Sequence, residues 1–174
     1  ITIFSKQAVF EVGDTRITLL DTPGHVDFSA EMERTLQVLD YAILVVSGAD
    51  GVQGHTKTLW HLLEIYKMPV FLFVNKMDQS GTNKDKIINE IKKQLDDRCI
   101  DFGTDTKDDF FDQLAMCDEL MMETYLEKGY VETSKISAAV KERKVFPCFF
   151  GSALKLEGIE EFIDGLMKYT IIPR

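Results

Sequence analysis

Val70-Phe71-Leu72-Phe73-Val74-Asn75-Lys76-Met77-Asp78 is the stretch on which the reading of this chain turns. Its first five residues are apolar and β-prone without a polar break, as in a strand covered on both faces of a parallel sheet. The four that follow are polar or flexible and stand at the carboxyl end of that strand. A carboxylate at Asp78 can accept from two N–H donors placed side by side, the pattern offered by the N1–H and exocyclic amine of guanine. Adenine lacks that pair of donors and would leave the charge unpaired. Sites built on such polar pairing reject the wrong ligand by roughly 10⁴-fold. The aliphatic stem of Lys76 can lie over a base, and Asn75 can tie the loop to its neighbours. A helix-capping aspartate after a strand fits the same four residues.

Working outward, 41–46 and 145–150 are further apolar, β-rich runs. The first reads as buried on both faces; Pro147 makes the second either an edge strand or a strand start. Between them lie helical patterns. Residues 28–39 align Met32, Leu36 and Leu39, and 55–66 align Leu59, Leu62, Leu63 and Tyr66. Residues 84–95 align Ile87, Ile88, Ile91 and Leu95, and 159–169 align Ile159, Phe162, Ile163, Leu166 and Tyr169. Nearer the start, 7–12 and 15–20 flank Gly13-Asp14 and read as a hairpin. Alternating strands and helices indicate an α/β, doubly wound, mostly parallel sheet with one antiparallel hairpin edge. Residues 101–144 break the rhythm with two helical patterns, 109–127 and 134–144, and no strand between them. The expectation is one domain over 1–174 with a helical insertion at 101–144.

A second motif, Asp21-Thr22-Pro23-Gly24-His25, closes the strand at 15–20. An acid at a strand's carboxyl end can hold Mg²⁺ through a water. Gly24, with no Cβ, can bring its N–H close to a terminal phosphate. An ordinary Pro-Gly turn with Asp21 as a cap fits as well. A third, Gly151-Ser152-Ala153, follows the run at 145–150. All three stand where ligands bind in open α/β sheets, outside the carboxyl ends of the strands. Their order makes the combination far more specific than any one of them.

With these motifs the chain resembles the GTP-binding domain of the translational GTPases, of the elongation factor G type, over essentially its whole length. Gln79 after the NKMD box and the form of the insertion resemble the ribosomal protection-type tetracycline resistance proteins most, with elongation factor G itself as the alternative. The resemblance implies a P-loop GTPase-like fold, GTP/GDP and Mg²⁺ as cofactors, and GTP hydrolysis by the intact parent. It implies guanine recognition by Asn75, Lys76 and Asp78, with the loop at Ser152 and Ala153 reaching the guanine O6. It assigns GTP binding to Asp21, Thr22, Pro23, Gly24 and His25, with the metal-water contact at Asp21 and the γ-phosphate contact at Gly24. Ile1-Thr2-Ile3 matches the end of the effector loop, so Thr2 inherits a Mg²⁺ ligand's role. His25 matches the histidine that positions the attacking water once the ribosome docks. Gly51-Val52-Gln53 and the stretch 120–129 fit the same family.

No GxxxxGK[ST] phosphate loop occurs in the sequence. In the family that loop and its strand lie upstream of the position matched by Ile1, and the strand runs through mid-sheet. The expectations are therefore a truncated domain lacking the first strand and P-loop, weak GTP binding by the 174 residues alone, and no catalysis without the missing part. Between the 15–20 and 41–46 strands a gap is expected: either the strands close up, or another chain fills it, or the missing piece was removed by cloning or proteolysis. Dimerisation or poor solubility should follow from the unpaired edges. A natural P-loop-less, non-catalytic binding module is the competing functional class.

Composition sets outer bounds. With 20 basic against 29 acidic residues the formal charge is −9. That argues against direct DNA binding through a broad basic face, though the ribosome can still be a partner of the intact parent. No apolar run has membrane-spanning length, so no membrane role and a cytoplasmic location are expected. Cys99, Cys117 and Cys148 have no metal spacing and read as reduced, buried thiols. His55 and His61 read as surface or packing residues. Met116, Met121 and Met122 read as insertion core, and the charge run 105–112 as a solvated face.

Overall fold

A computed structural model describes residues 6–21, 29–103 and 107–173. The hairpin forms as its alternation and Gly13 turn require. β1 (Lys6–Val12) pairs antiparallel with β2 (Thr15–Asp21), and Gly13 takes the left-handed φ of +58° that a tight turn needs. Next come α1 (Ser29–Leu36), β3 (Ala42–Ser47), α2 (Gly54–Ile65), β4 (Val70–Asn75), α3 (Lys84–Gln94) and β5 (Cys99–Asp101). After α4 (Lys107–Ala115), α5 (Glu119–Lys128) and α6 (Thr133–Lys141) the chain returns through β6 (Phe146–Phe150) and ends on α7 (Ile159–Tyr169). The strand order is β3-β4-β6-β5, all parallel, while β1 and β2 form a separate two-stranded sheet.

Two cores sandwich the four-stranded sheet. On one face Leu44, Val46, Val70, Leu72 and Val74 meet Met32, Leu36, Trp60, Leu63, Ile87 and Ile91 from α1, α2 and α3. On the other, Phe71, Phe73 and Phe149 meet Leu114, Met121, Ile136, Val140 and Phe162 from α4 to α7. Each fully buried side chain of that size contributes about 1.5–3 kcal/mol. Arg143 braces the end of the sheet remote from the motifs. Its guanidinium lies over Trp60 and Phe146 and donates to the carbonyls of Leu63 and Met68.

Several expectations change. β3 is buried on one face only: Ile43 and Val45 are exposed, because no helix of the second core reaches them. β5 was hidden by its brevity; three residues cannot show a period, and it takes Asp101 into the sheet. The pattern at 109–127 splits into α4 and α5, with Asp118 extended at the break. Pro147 lies at the start of an interior strand, not on an edge. Phe146 donates toward β5, so the proline nitrogen faces β4, where pairing opens one residue later at Cys148. Met121 is fully buried as expected and Met122 half-buried, but Met116 projects into solvent. Cys99 and Cys148 are buried free thiols; Cys117 is half-buried, and desolvation raises its thiol pKa to about 11.

The expected gap is present. β2 and β3 do not pair, and their facing edges border a cavity of ≈ 590 Å³. Leu19, Ile43 and Val45 line it, over a floor that includes Leu36, Leu59 and Leu63.

Candidate functional site

Three loops interlock at the carboxyl ends of β3, β4 and β6. Asn75 closes β4, and Lys76 then takes a left-handed φ of +62°, which swings the chain out of the sheet. The Met77 N–H donates to the Gly151 carbonyl at 3.1 Å, and the Gly151 N–H donates to Val74 at 3.0 Å. Asn75 does the tying expected of it: its Oδ1 accepts from the Ala153 N–H at 2.9 Å. Its backbone carbonyl accepts from the Gly48 N–H at 2.8 Å, which brings in the loop after β3.

The turn at 151–158 is equally determined. Ser152 and Glu157 exchange two backbone hydrogen bonds, of 2.9 and 3.0 Å, and the Ser152 hydroxyl accepts from the Lys155 N–H. A Cβ at Gly151 would stand 2.1 Å from the Glu157 carbonyl oxygen, so only glycine fits there. Ser152 is buried, and Ala153 is exposed beside Asn75.

Asp78 is not a helix cap. The cap of α3 is Asn83, whose side chain accepts from the Lys86 N–H at 3.1 Å. The Asp78 carboxylate is exposed and has no hydrogen-bond or ion-pair partner among the described residues. Lys76 is exposed too. The Thr82 hydroxyl, which the motif alone did not single out, bonds to the Met77 and Gln79 carbonyls and closes the loop that presents Asp78. A threonine four residues past an NKxD pattern was the available signal.

Asp21 ends β2 with an exposed carboxylate on the rim of the large cavity. Asn75 and Lys76 line a second cavity of ≈ 240 Å³ with Ser47, Asp50, Gly51 and Gln53. Val45, His55 and Thr56 line both cavities, so Asp21 and the NKMD loop open onto adjoining spaces. His55 is exposed, and so is His61, with Glu64 at 3.9 Å. Thr2, Thr22, Pro23, Gly24 and His25 lie outside the described residues.

The described residues contain no cluster of three or more acidic, histidine or cysteine side chains that could hold a metal ion. The exposed carboxylate of Asp21, without a partner among the described residues, suits a cation that keeps water and phosphate oxygens as its other ligands, the habit of Mg²⁺. No helix among the described residues is long and apolar enough to cross a membrane.

Residues 1–171 match the family described as the elongation factor Tu GTP binding domain. The tetracycline resistance protein TetP of Clostridium perfringens is 36% identical over 97% of the chain and 29% of its own length. The oxytetracycline resistance protein of Streptomyces rimosus is 37% identical over 95% of the chain and 29% of its length. The tetracycline resistance protein TetM of Streptomyces lividans is 34% identical over 96% of the chain. A crystal structure from Thermus thermophilus superposes with a TM-score of 0.82 at 19% identity, over 98% of this chain and 32% of that one. The chain thus spans under a third of the length of the relatives it matches.

Proposed function

We propose, since this chain belongs to the elongation factor Tu GTP-binding domain family, that its parent protein binds GTP and hydrolyses it in contact with the ribosome. The names of the relatives favour a role in tetracycline resistance over an elongation step, and the ribosomal protection type fits that role. The observation that carries the nucleotide reading is the Asp78 carboxylate. It is exposed and without a partner among the described residues, on a loop whose backbone is held by Gly151, Asn75 and Thr82. A rigid loop offering a free acceptor pair is what a guanine edge needs.

In this reading Asp78 accepts from N1–H and the exocyclic amine, the Lys76 stem covers the base, and the 151–153 loop supplies an N–H to O6. Asp21 and Thr2 hold Mg²⁺, the former through water, and the metal neutralises charge on the phosphates when bound. Gly24 approaches the terminal phosphate, and His25 orients the attacking water. Residues 1–174 act as a single GTP-binding domain with 101–144 as a helical insertion. The parent works in the cytoplasm without a membrane or DNA partner.

Calorimetric titration of the intact parent tests the first step, because the 174 residues alone are expected to bind nucleotide weakly. GDP should bind and ADP should not, and Asp78→Ala should abolish the difference. Equal affinity for the two nucleotides would falsify guanine recognition. For the intact parent, His25→Ala should keep GTP binding while ribosome-stimulated turnover disappears; undiminished turnover removes the role of His25. The edges of β2 and β3, unpaired with each other and with any other strand among the described residues, also support self-association of the 174 residues through the apolar cavity. A single monomeric species in sedimentation at high concentration would end that proposal.

A further inference from the structure

The loop between β3 and α2 is closed on itself and then pinned at both ends. The Gly51 N–H donates to the Ser47 carbonyl at 2.8 Å, and the Asp50 N–H donates to the Ser47 hydroxyl at 3.2 Å. The Gln53 side-chain amide donates to the Asp50 carbonyl at 2.9 Å. The leading end is held by Gly48, through its N–H to the Asn75 carbonyl. The trailing end is held by Glu90, a half-buried residue of α3 whose Oε1 accepts from the Val52 N–H at 2.8 Å.

Glu90 is committed to this one contact. It forms no ion pair among the described residues, and its carboxylate sits against Gly51. A Cβ at Gly51 would lie 2.7 Å from Oε1 and 3.0 Å from Oε2. Gly51 also has a φ of +76°, so the glycine allows both the turn and the approach of the carboxylate. At the other end, a Cβ on Gly48 would stand 2.5 Å from the Met77 sulfur. The loop is therefore wedged between α3 and the residues that present Asp78.

We infer that Glu90 is a positioning residue for the guanine-binding loop, acting through Val52, Gly48 and Asn75. A charged acceptor on a backbone N–H makes one of the stronger hydrogen bonds a protein can use. From Val52 the constraint passes along the loop to Gly48, from Gly48 to the Asn75 carbonyl, and from the Asn75 side chain to Ala153. The same loop lines the ≈ 240 Å³ cavity with Asn75 and Lys76, so a shift of it alters the space beside them. The effect on nucleotide rests on the guanine reading of Asp78; the mechanical coupling does not.

Two variants separate the possibilities. E90Q keeps an oxygen acceptor for Val52 and removes the charge, whereas E90A removes the acceptor. In E90A, amide hydrogen exchange at Val52, Gly48 and Ala153 should speed up by about tenfold or more, with Phe71 and Leu72 unchanged as a control for folding. In E90Q the three amides should stay within about threefold of the unaltered chain. In the intact parent, GDP affinity should fall about tenfold in E90A and be largely restored in E90Q. Unchanged exchange at Gly48 and Ala153 in E90A overturns the coupling, and so does an equal loss of GDP affinity in both variants. If the unaltered parent fails to prefer GDP over ADP, the guanine reading falls, and the exchange data still decide the coupling.

Discussion

β3 and β4 are neighbours in one sheet, six residues each and similarly apolar, yet they live in different surroundings. β4 has partners on both sides and helices on both faces, and its first five residues are buried. Among the described residues β3 has one partner strand, one covered face and one open edge, and it alternates between buried and exposed. The motif that follows β4 is correspondingly locked to two other loops. β3 instead borders the open cavity. Apolarity alone does not distinguish the two strands; their neighbours do.

The largest effect that sharpens this contrast is in the middle of the sheet. Phe71→Ala should cost about 3–5 kcal/mol in denaturant unfolding, because the side chain is fully buried between Tyr41 and the second core. Val45→Ala, one strand over, should cost under about 1 kcal/mol, since that side chain is 59% exposed. Comparable losses for the two would erase the distinction.

Next comes the loop lock. Gly151→Ala forces a Cβ onto the Glu157 carbonyl and should cost about 1–3 kcal/mol. It should also release the Met77 and Ala153 amides to faster exchange. Full protection of those amides would show that the 151–158 turn does not hold the NKMD loop. Asn75→Ala removes only the side-chain bond to Ala153, at about 1 kcal/mol, and should weaken GDP binding more than it lowers the melting temperature. A large drop in melting temperature with GDP affinity intact would make Asn75 a packing residue.

The smallest effect lies at the opposite end of the strands. Burial would raise the Asp96 carboxyl, but hydrogen bonds from the Arg98 side chain and backbone outweigh it and hold the pKa below the ordinary value. A depressed carboxylate stabilises the fold above its unfolded pKa, near 4, and that contribution is lost as pH falls through the lower folded value. Because the pair is partly exposed, it is worth under about 1 kcal/mol. Asp96→Asn should flatten the pH dependence of stability below about pH 4 by that amount. An unchanged acid limb would remove Asp96 from the account.

Much of the fold was legible because its elements have clear periods. The hairpin, β4, α3 and α7 fall within about two residues of their expected bounds, and α7 spans 159–169 as read. β5 escaped because three residues carry no pattern, and the break between α4 and α5 because helical spacing runs on across it. In the candidate site, Asn75 could be foreseen as a tie between loops, and Ala153 is where that tie ends. Glu90 could not, because it lies 38 residues from Val52 along the chain and belongs to no motif.

The order of apolar runs and polar motifs determined the fold class, which depends on local spacing and on residue types at strand ends, and the quoted motifs carried the resemblance to the family. Which strand face is exposed, which aspartate has no partner among the described residues and which glutamate accepts from the Val52 N–H were decided only in three dimensions. Those properties are set by contacts between segments far apart in sequence, and the local pattern of a segment carries no record of its partner.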